Sequence, residues 1–466
     1  MHSICNLTLS TSSAFIRFWL NDTCRENLLA HIEQEDLPSF RLVCSDFSTR
    51  AAPGLFESLT VTFKSSTFTK PARMAALSRI GRHVKTFVFH MPHDWNTCLP
   101  PIIDPKTGDE RQFLYEPRIQ IQNIMRREKT PRYGSLELTD LLIKQYPPLF
   151  HAATDVLAFI NAFSELTNLT HLKISCPDFG SAPRYRRSAV DYALSSIRIA
   201  IECAPVYSLH RLSLLPIHPD GLFYIHPMLG FDSAHTSAKR WSQIRQLAIC
   251  VEIIPFSSQS LNLHTLHTYL HIFCQYLESL YFCWHGERGP SPLSLPLPLN
   301  EERVHPIMRG TVRGLPPLEF SRLHYVEMEN VVMDSSQFTD FIYRHQRTLV
   351  EFNFEGVNLC QGNWEDTFAP VRKISGNYSK SQEFMDAPLM LSSTVDKEPI
   401  VIGPLMGPLP EDAVEELSSS VRRRLPSVRQ CSKSRRGRDY INFLRRYMPC
   451  PNQTRHRNKT KDNYWL

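Results

Sequence analysis

Residues 166–174 read LTNLTHLKI. Leu169, Leu172 and Ile174 there follow the spacing apolar-x-x-apolar-x-apolar, which reads as a short strand led in by a turn. The same shape stands at Phe56/Leu59/Val61, Val84/Phe87/Phe89, Leu209/Leu212/Leu214 and Ile244/Leu247/Ile249, then at Leu277/Leu280/Phe282, Leu323/Val326/Met328 and Leu349/Phe352/Phe354. The triplets are mostly Leu, Ile or Phe. Several follow helix-like stretches, and the five starts from 169 to 323 lie 33–46 residues apart.

Outward from these triplets, FESLTV at 56–61 is a strand, and KPARMAALSRIG after it is a helix. Thr69 is placed to cap that helix, Pro71 fits its first turn, Met74, Leu77 and Ile80 form its buried stripe, and Gly81 ends it. VKTFVF at 84–89 returns as a strand, so the stretch makes one right-handed crossover unit. LTNLTHLKI and SLHRLSLL (208–215) resemble leucine-rich repeats, each a strand backed by a helix. The expectation for 57–374 is therefore α/β: an irregular leucine-rich-repeat-like solenoid whose strands form a curved parallel sheet. Regular repeats are shorter and keep an Asn or Cys after the strand, which this chain does not. An ordinary α/β domain built on similar strands is the alternative. Two insertions interrupt the array: 91–165, with the loop CLPPIIDPKTGDE and helices such as DVLAFINAFSEL, and 285–318, which is rich in Pro and Gly.

Residues 20–56, LNDTCRENLLAHIEQEDLPSFRLVCSDFSTRAAPGLF, are helical in pattern. Leu28, Leu29 and Ile32 share one helix face. Asp36 and Pro38 mark the start of a second helix carrying Leu37, Phe40, Val43, Cys44 and Phe47 on one side. So short a segment has little core of its own and calls for a partner or a neighbouring domain.

The spacing resembles the F-box, the module that docks substrate receptors onto the Skp-family adaptor of the Skp–cullin–F-box ubiquitin ligase. Leu20, Cys24, Leu28, Leu29, Ile32, Asp36, Leu37, Phe40, Arg41, Val43 and Cys44 stand at the family's offsets. Asn21 replaces its opening proline and Thr23 its glutamate. The resemblance implies an adaptor-binding surface formed by Leu20, Cys24, Leu28, Leu29, Ile32, Leu37, Phe40, Arg41, Val43, Cys44 and Phe47. Arg41 can also serve as a structural hydrogen-bonding or charge partner. The implied partners are the adaptor, the cullin scaffold and an unidentified protein substrate. FTKPARMAALSRIGRHVKTFVF and the PPIIDPKTGDE loop also resemble F-box proteins of filamentous fungi.

Composition sets the remaining bounds. The chain has 466 residues, 42 % of them apolar, with 34 prolines against 17 glycines, which favours rigid corners over flexible linkers. Twelve cysteines are scattered without a C-x-x-C pair, as in a reducing compartment, cytoplasmic or nuclear. No apolar run approaches a membrane span, and the first residues lack the pattern of a signal peptide. The net charge of +6 is uneven. Residues 417–466 hold 14 Lys and Arg against Asp439 and Asp462, a local +12, so the remaining 38 bases and 44 acids leave the body at −6.

The chain thus divides into an N-terminal extension (1–19), the F-box-like module (20–56), the repeat-like domain (57–374) and a poorly ordered basic tail (375–466). Arg422, Arg423, Arg424, Lys433, Arg435, Arg436 and Arg438 in that tail read as a nuclear-import patch. Tyr440, Phe443 and Tyr447 make too sparse a stacking platform for nucleic acid. Phosphate loops, dinucleotide fingerprints, nucleophile elbows and zinc-protease motifs are absent. His83, His90 and His93 form a loose group without accompanying acids and read as structural, and Asp104, Asp109 and Glu110 around Gly108 read as turn formers. Neither a catalytic residue nor a cofactor is expected. Non-catalytic scaffolding without a ligase link, or nucleic-acid association through the tail, are the alternative functions.

Overall fold

Sequential strands of this chain all run the same way. In the computed structural model, residues 13–111, 113, 115, 117, 132–177, 187–227, 237–252, 259–293, 316–354, 356–360, 362, 364, 367 and 368 are described. Four helices come first: α1 (Ser13–Leu20), α2 (Asp22–His31), α3 (Leu37–Arg41) and α4 (Ser45–Leu55). Next stand β1 (Ser58–Thr62), α5 (Pro71–Ile80) with a 3-10 turn at Gly81–His83, and β2 (Thr86–His90). Helices α6 (Leu136–Gln145), α7 (Pro148–Ala153) and α8 (Val156–Ser164) lead to β3 (His171–Ser175), and α9 (Ala189–Cys203) leads to β4 (Arg211–Ile217). Two short helices, α10 (Gly221–Ile225) and α11 (Ser237–Trp241), precede β5 (Gln246–Glu252), and α12 (Gln259–His271) precedes β6 (Ser279–His285). The last elements are β7 (Gly289–Pro290), β8 (Tyr325–Glu329), β9 (Val331–Met333), α13 (Ser335–His345), β10 (Glu351–Asn353) and β11 (Asn358–Leu359).

Strands β1, β2, β3, β4, β5, β6, β8 and β10 form one eight-stranded sheet in that order, parallel throughout. The apolar triplets explain its cohesion. Leu59, Phe87, Leu172, Leu212, Leu247, Leu280, Val326 and Phe352 stand in register across all eight strands. Val61, Phe89, Ile174, Leu214, Ile249, Phe282 and Met328 form a second row, and no member of either row is more than 7 % exposed. Helices seal this face. Phe159 and Phe163 of α8 meet Phe89 and Phe87 at ring distances of 6.2 and 5.7 Å, and Phe338 of α13 meets Phe352 at 6.1 Å. Each fully buried Leu or Phe contributes about 1.5–3 kcal/mol, so these rows dominate the stability.

The alternate positions are mixed, with polar residues in the majority. Thr60, Val88, Lys173, Ser213, Ala248, Tyr281, Glu327 and Asn353 form a register row on the opposite face. At the end where the strands begin, one device repeats. A single carbonyl accepts both N–H groups that open the next strand: Glu57 O from Lys85 and Thr86 at 2.9 Å each, Lys85 O from Thr170 and His171 at 2.9 and 3.0 Å, Thr170 O from His210 and Arg211 at 3.1 Å each. His210, Arg245, Glu278 and His324 continue the ladder to β10. This rim is therefore aligned across the whole sheet.

The expected leucine-rich-repeat-like solenoid behind a separate helical F-box is overturned. Eight of the strands belong to one parallel sheet with helices interleaved between them, a layered α/β domain. The triplets mark its strands correctly, but a solenoid needs a return segment of constant build, and these returns differ. The crossover from β2 to β3 runs from Met91 to Thr170 and holds three helices among its described residues, whereas that from β8 to β10 runs from Asn330 to Val350 and holds β9 and α13. Helix α9 is buried at 12 of its 15 positions, like a core helix of a layered domain rather than the outer wall of a repeat. Between Glu329 and Leu359, β9 leaves the main sheet to pair with β7 and β11 in a separate three-stranded sheet. The basic tail expected to be disordered lies outside the described residues.

Candidate docking site

The four helices at 13–55 form the candidate site. Asn21 occupies the N-cap of α2, its side chain accepting from Cys24 N at 3.0 Å, so this residue starts the helix. Asp36 precedes α3 without a side-chain cap, and Pro38 sits in the first turn, where a proline loses no bond. The single second helix expected there is split. Leu42 closes α3, and Cys44 turns extended (φ −161°, ψ 171°) before α4 begins.

Inside the module Trp19, Leu37, Phe47, Ala51 and Ala52 are buried. Trp19 lies 4.3 Å from Phe47, Phe40 stacks on Phe47 at 4.4 Å, and Phe15 approaches both rings from α1. The segment before residue 20 is thus part of the module's packing. Two polar clasps hold it. Trp19 Nε1 donates to Asp46 Oδ2 at 2.6 Å, and buried Arg25 donates to Trp19 O at 3.2 Å while pairing with Asp22. Arg41 donates to Ser48 Oγ at 3.4 Å and lies 4.7 Å over the Phe56 ring. Its role is that of a structural partner joining α3 to the start of the sheet.

The residues assigned to adaptor docking divide by exposure. Leu37 and Phe47 point into the core. Cys24, Leu28, Leu29, Ile32, Phe40, Arg41 and Cys44 are half-buried. Leu20 and Val43 are 70 % and 55 % exposed. Two further apolar side chains, unassigned from sequence, stand beside them in the chain: Leu42, 87 % exposed, and Phe18, 40 % exposed. Leu42 falls between two motif offsets, and the run LVC at 42–44 was its only signal. Arg422, Arg423, Arg424, Lys433, Arg435, Arg436 and Arg438 lie outside the described residues.

Other polar groups are committed to structure. His83 precedes β2, His90 is its last residue and His93 follows it, so a strand's length separates His83 from the other two. His90 Nδ1 and Ser175 Oγ are 3.3 Å apart, and His93 Nδ1 and Ser188 Oγ likewise. Ser188 caps α9 in a box with Asp191, whose carboxyl is raised to about 7, first by burial and then by Asp220. The loops there are zipped together by Leu99 N to Arg187 O (3.1 Å) and Ala189 N to Thr97 O (2.7 Å). Among the described residues no group of three or more His, Cys, Asp or Glu could hold a metal ion, and no helix is long and apolar enough to cross a membrane. Compared with protein-family models and with curated proteins, the chain matches none.

Proposed function

We propose that the chain is the substrate-receptor subunit of a Skp–cullin–F-box type ubiquitin ligase, docked to a Skp-family adaptor through the helical module and offering the sheet domain to a protein substrate. The observation that carries this reading is a surplus of apolar side chains. The module's core is filled by Trp19, Leu37 and Phe47, yet Leu20, Leu42 and Val43 remain exposed on it. Exposed apolar side chains grouped on one small module are the ordinary sign of a docking face. Their positions coincide with, or adjoin, offsets that the F-box resemblance assigns to the adaptor. Burying a few such side chains, at about 1.5–3 kcal/mol each, is sufficient to hold a complex.

The chain's contribution to ligation is then to hold rather than to react: tethering a target beside a ubiquitin-loaded enzyme raises its effective concentration. The cullin is reached through the adaptor. The test is a pull-down of the full chain with purified Skp-family adaptor, beside Leu42→Asp/Val43→Asp. Both positions are exposed, so the variant keeps its fold, checked by circular dichroism. Capture of the wild type and loss of capture by the variant support the reading. Failure of the wild type to bind removes the ligase link and leaves a scaffold whose helical module serves its own domain.

A further inference from the structure

The rim where the strands begin carries a cavity of about 620 Å3. Pro53 near the end of α4, Glu57, Arg82, Lys85, Asn168 and Ser208 are among the residues that line it, so the helical module and the starts of β2, β3 and β4 share one recess. Its volume lies within the range of ligand clefts. Its charge leans positive. Arg82 is exposed and has no carboxylate partner among the described residues. Arg211, also exposed, follows on β4, its N–H bonded to Thr170 O at 3.1 Å, and likewise has none. Arg41 and Arg240 are stacked on Phe56 and Tyr207, at 4.7 and 4.2 Å, rather than ion-paired. Lys85 reaches Glu57 at 3.0 Å and Arg245 reaches Glu278 at 3.8 Å. In the lining itself, Arg82 and Lys85 stand with one carboxylate, Glu57, which Lys85 already holds.

His171 is depressed to about 3 by burial and then by Lys173, Arg211 and His210, and His83 is lowered by burial and then by Arg82 and Arg41. Helix C-termini collect at this rim, and their dipoles account for cations close to helix ends such as Arg82 and Arg240. They do not account for Lys85 and Arg211 at strand starts, nor for the recess between them. A field of one sign focused in a cleft concentrates ligands of the other.

From the recess and the exposed cations Arg82 and Arg211 beside it, neither held by a carboxylate among the described residues, we infer that the β1–β4 rim binds an acidic, Asp/Glu-rich extended segment of a protein partner. Carboxylates of that segment pair with Arg82, Lys85 and Arg211, while Asn168, Thr170 and Ser208 supply polar partners inside the recess. A protein segment fits better than nucleic acid. Tyr207 is already covered by Arg240, so this ring offers no free face to bases. The inference rests on the receptor reading only in taking the partner to be a substrate.

The experiment uses the full chain and fluorescence anisotropy with a labelled twelve-residue peptide of alternating Glu and Gly. A Gln/Gly peptide and a single-stranded oligonucleotide of matched charge serve as the other arms. Arg82→Glu/Arg211→Glu reverses two exposed rim charges. Lys106→Glu/Lys144→Glu reverses two exposed charges elsewhere, so both variants have the same net charge and the same tail. The Glu/Gly peptide should bind more tightly than the Gln/Gly peptide, and the rim variant should weaken it about tenfold relative to the control variant. Equal affinities of the two variants, equal binding of the two peptides, or stronger rim-dependent binding of the oligonucleotide overturns the proposal. No adaptor is present, so failure here is separate from failure of adaptor docking.

Discussion

The helical module and the sheet handle apolar surface in opposite ways. In the sheet, two register rows of Leu, Ile, Val, Phe and Met are sealed under helices, with none more than 7 % exposed. In the module, a small aromatic core centred on Trp19 and Phe47 coexists with bare Leu20, Leu42 and Val43. The sheet completes its own burial, whereas the module keeps part of its apolar surface in solvent. Under the proposed docking role, stability and docking are separated along the sequence, and substitutions should affect one without the other.

The largest effects belong to the sheet domain. Phe89→Ala, at a fully buried member of the second row packed against Phe159, should destabilise the chain by about 3–5 kcal/mol, read as a fall in chemical-denaturation midpoint. Glu202→Ala should cost a similar amount, about 3–5 kcal/mol. Glu202 pairs with buried Arg198 at 3.2 Å and accepts from Ser237 Oγ at 2.7 Å and Trp241 Nε1 at 3.1 Å, clasping α9 to α11. A loss below 1 kcal/mol for both would show that the sheet is not the stable half.

Acid should act on the same half. His171 and His226 are depressed to about 3 and His267 to about 4, in each case first by burial. The folded chain therefore takes up fewer protons than the unfolded one below the ordinary histidine range of about 6.5. The stability from these groups is complete above that value and is lost as pH falls toward 4 and 3. His267 is 1 % exposed, with neither ring nitrogen hydrogen-bonded. His267→Phe should flatten the fall in Tm between pH 7 and 4.5; an unchanged slope would assign the acid sensitivity elsewhere.

Smaller effects belong to the module. Asn21→Ala removes the cap of α2 and should cost about 1 kcal/mol, while Asn21→Asp should keep most of it. Leu42→Asp should change stability by no more than about 0.5 kcal/mol, since the side chain is already in solvent. It should nonetheless abolish adaptor capture. A large destabilisation by Leu42→Asp would place that residue in a core and erase the contrast.

Much of this was legible in sequence, unevenly. All eight apolar triplets fall at the eight strands of the main sheet, because a row buried under helices demands large apolar residues at alternate positions. The architecture was not legible from them, since stacked repeats and a single layered sheet use the same strand. What distinguishes the two is the build of the crossovers, which the triplets do not encode. In the module, the helix over Leu28 and Leu29 was readable, and the break at Leu42–Cys44 was not. The contribution of Phe15 and Trp19 was hidden because their partners, Phe40 and Phe47, lie more than twenty residues away. Arg198 and Glu202 are an i, i+4 pair of a kind common on helix surfaces, and only burial marks this one as core. The cation-rich rim was invisible because Arg82, Lys85 and Arg211 come together through sheet register.

The most direct test of the division is amide hydrogen exchange across the whole chain, with and without purified Skp-family adaptor. Added adaptor should slow exchange in residues 13–56, most strongly around 20–32 and 40–44, and leave β2 to β6 unchanged. Unchanged exchange in the module, or protection appearing in the sheet instead, would contradict the claim that the module's exposed apolar side chains are a docking face.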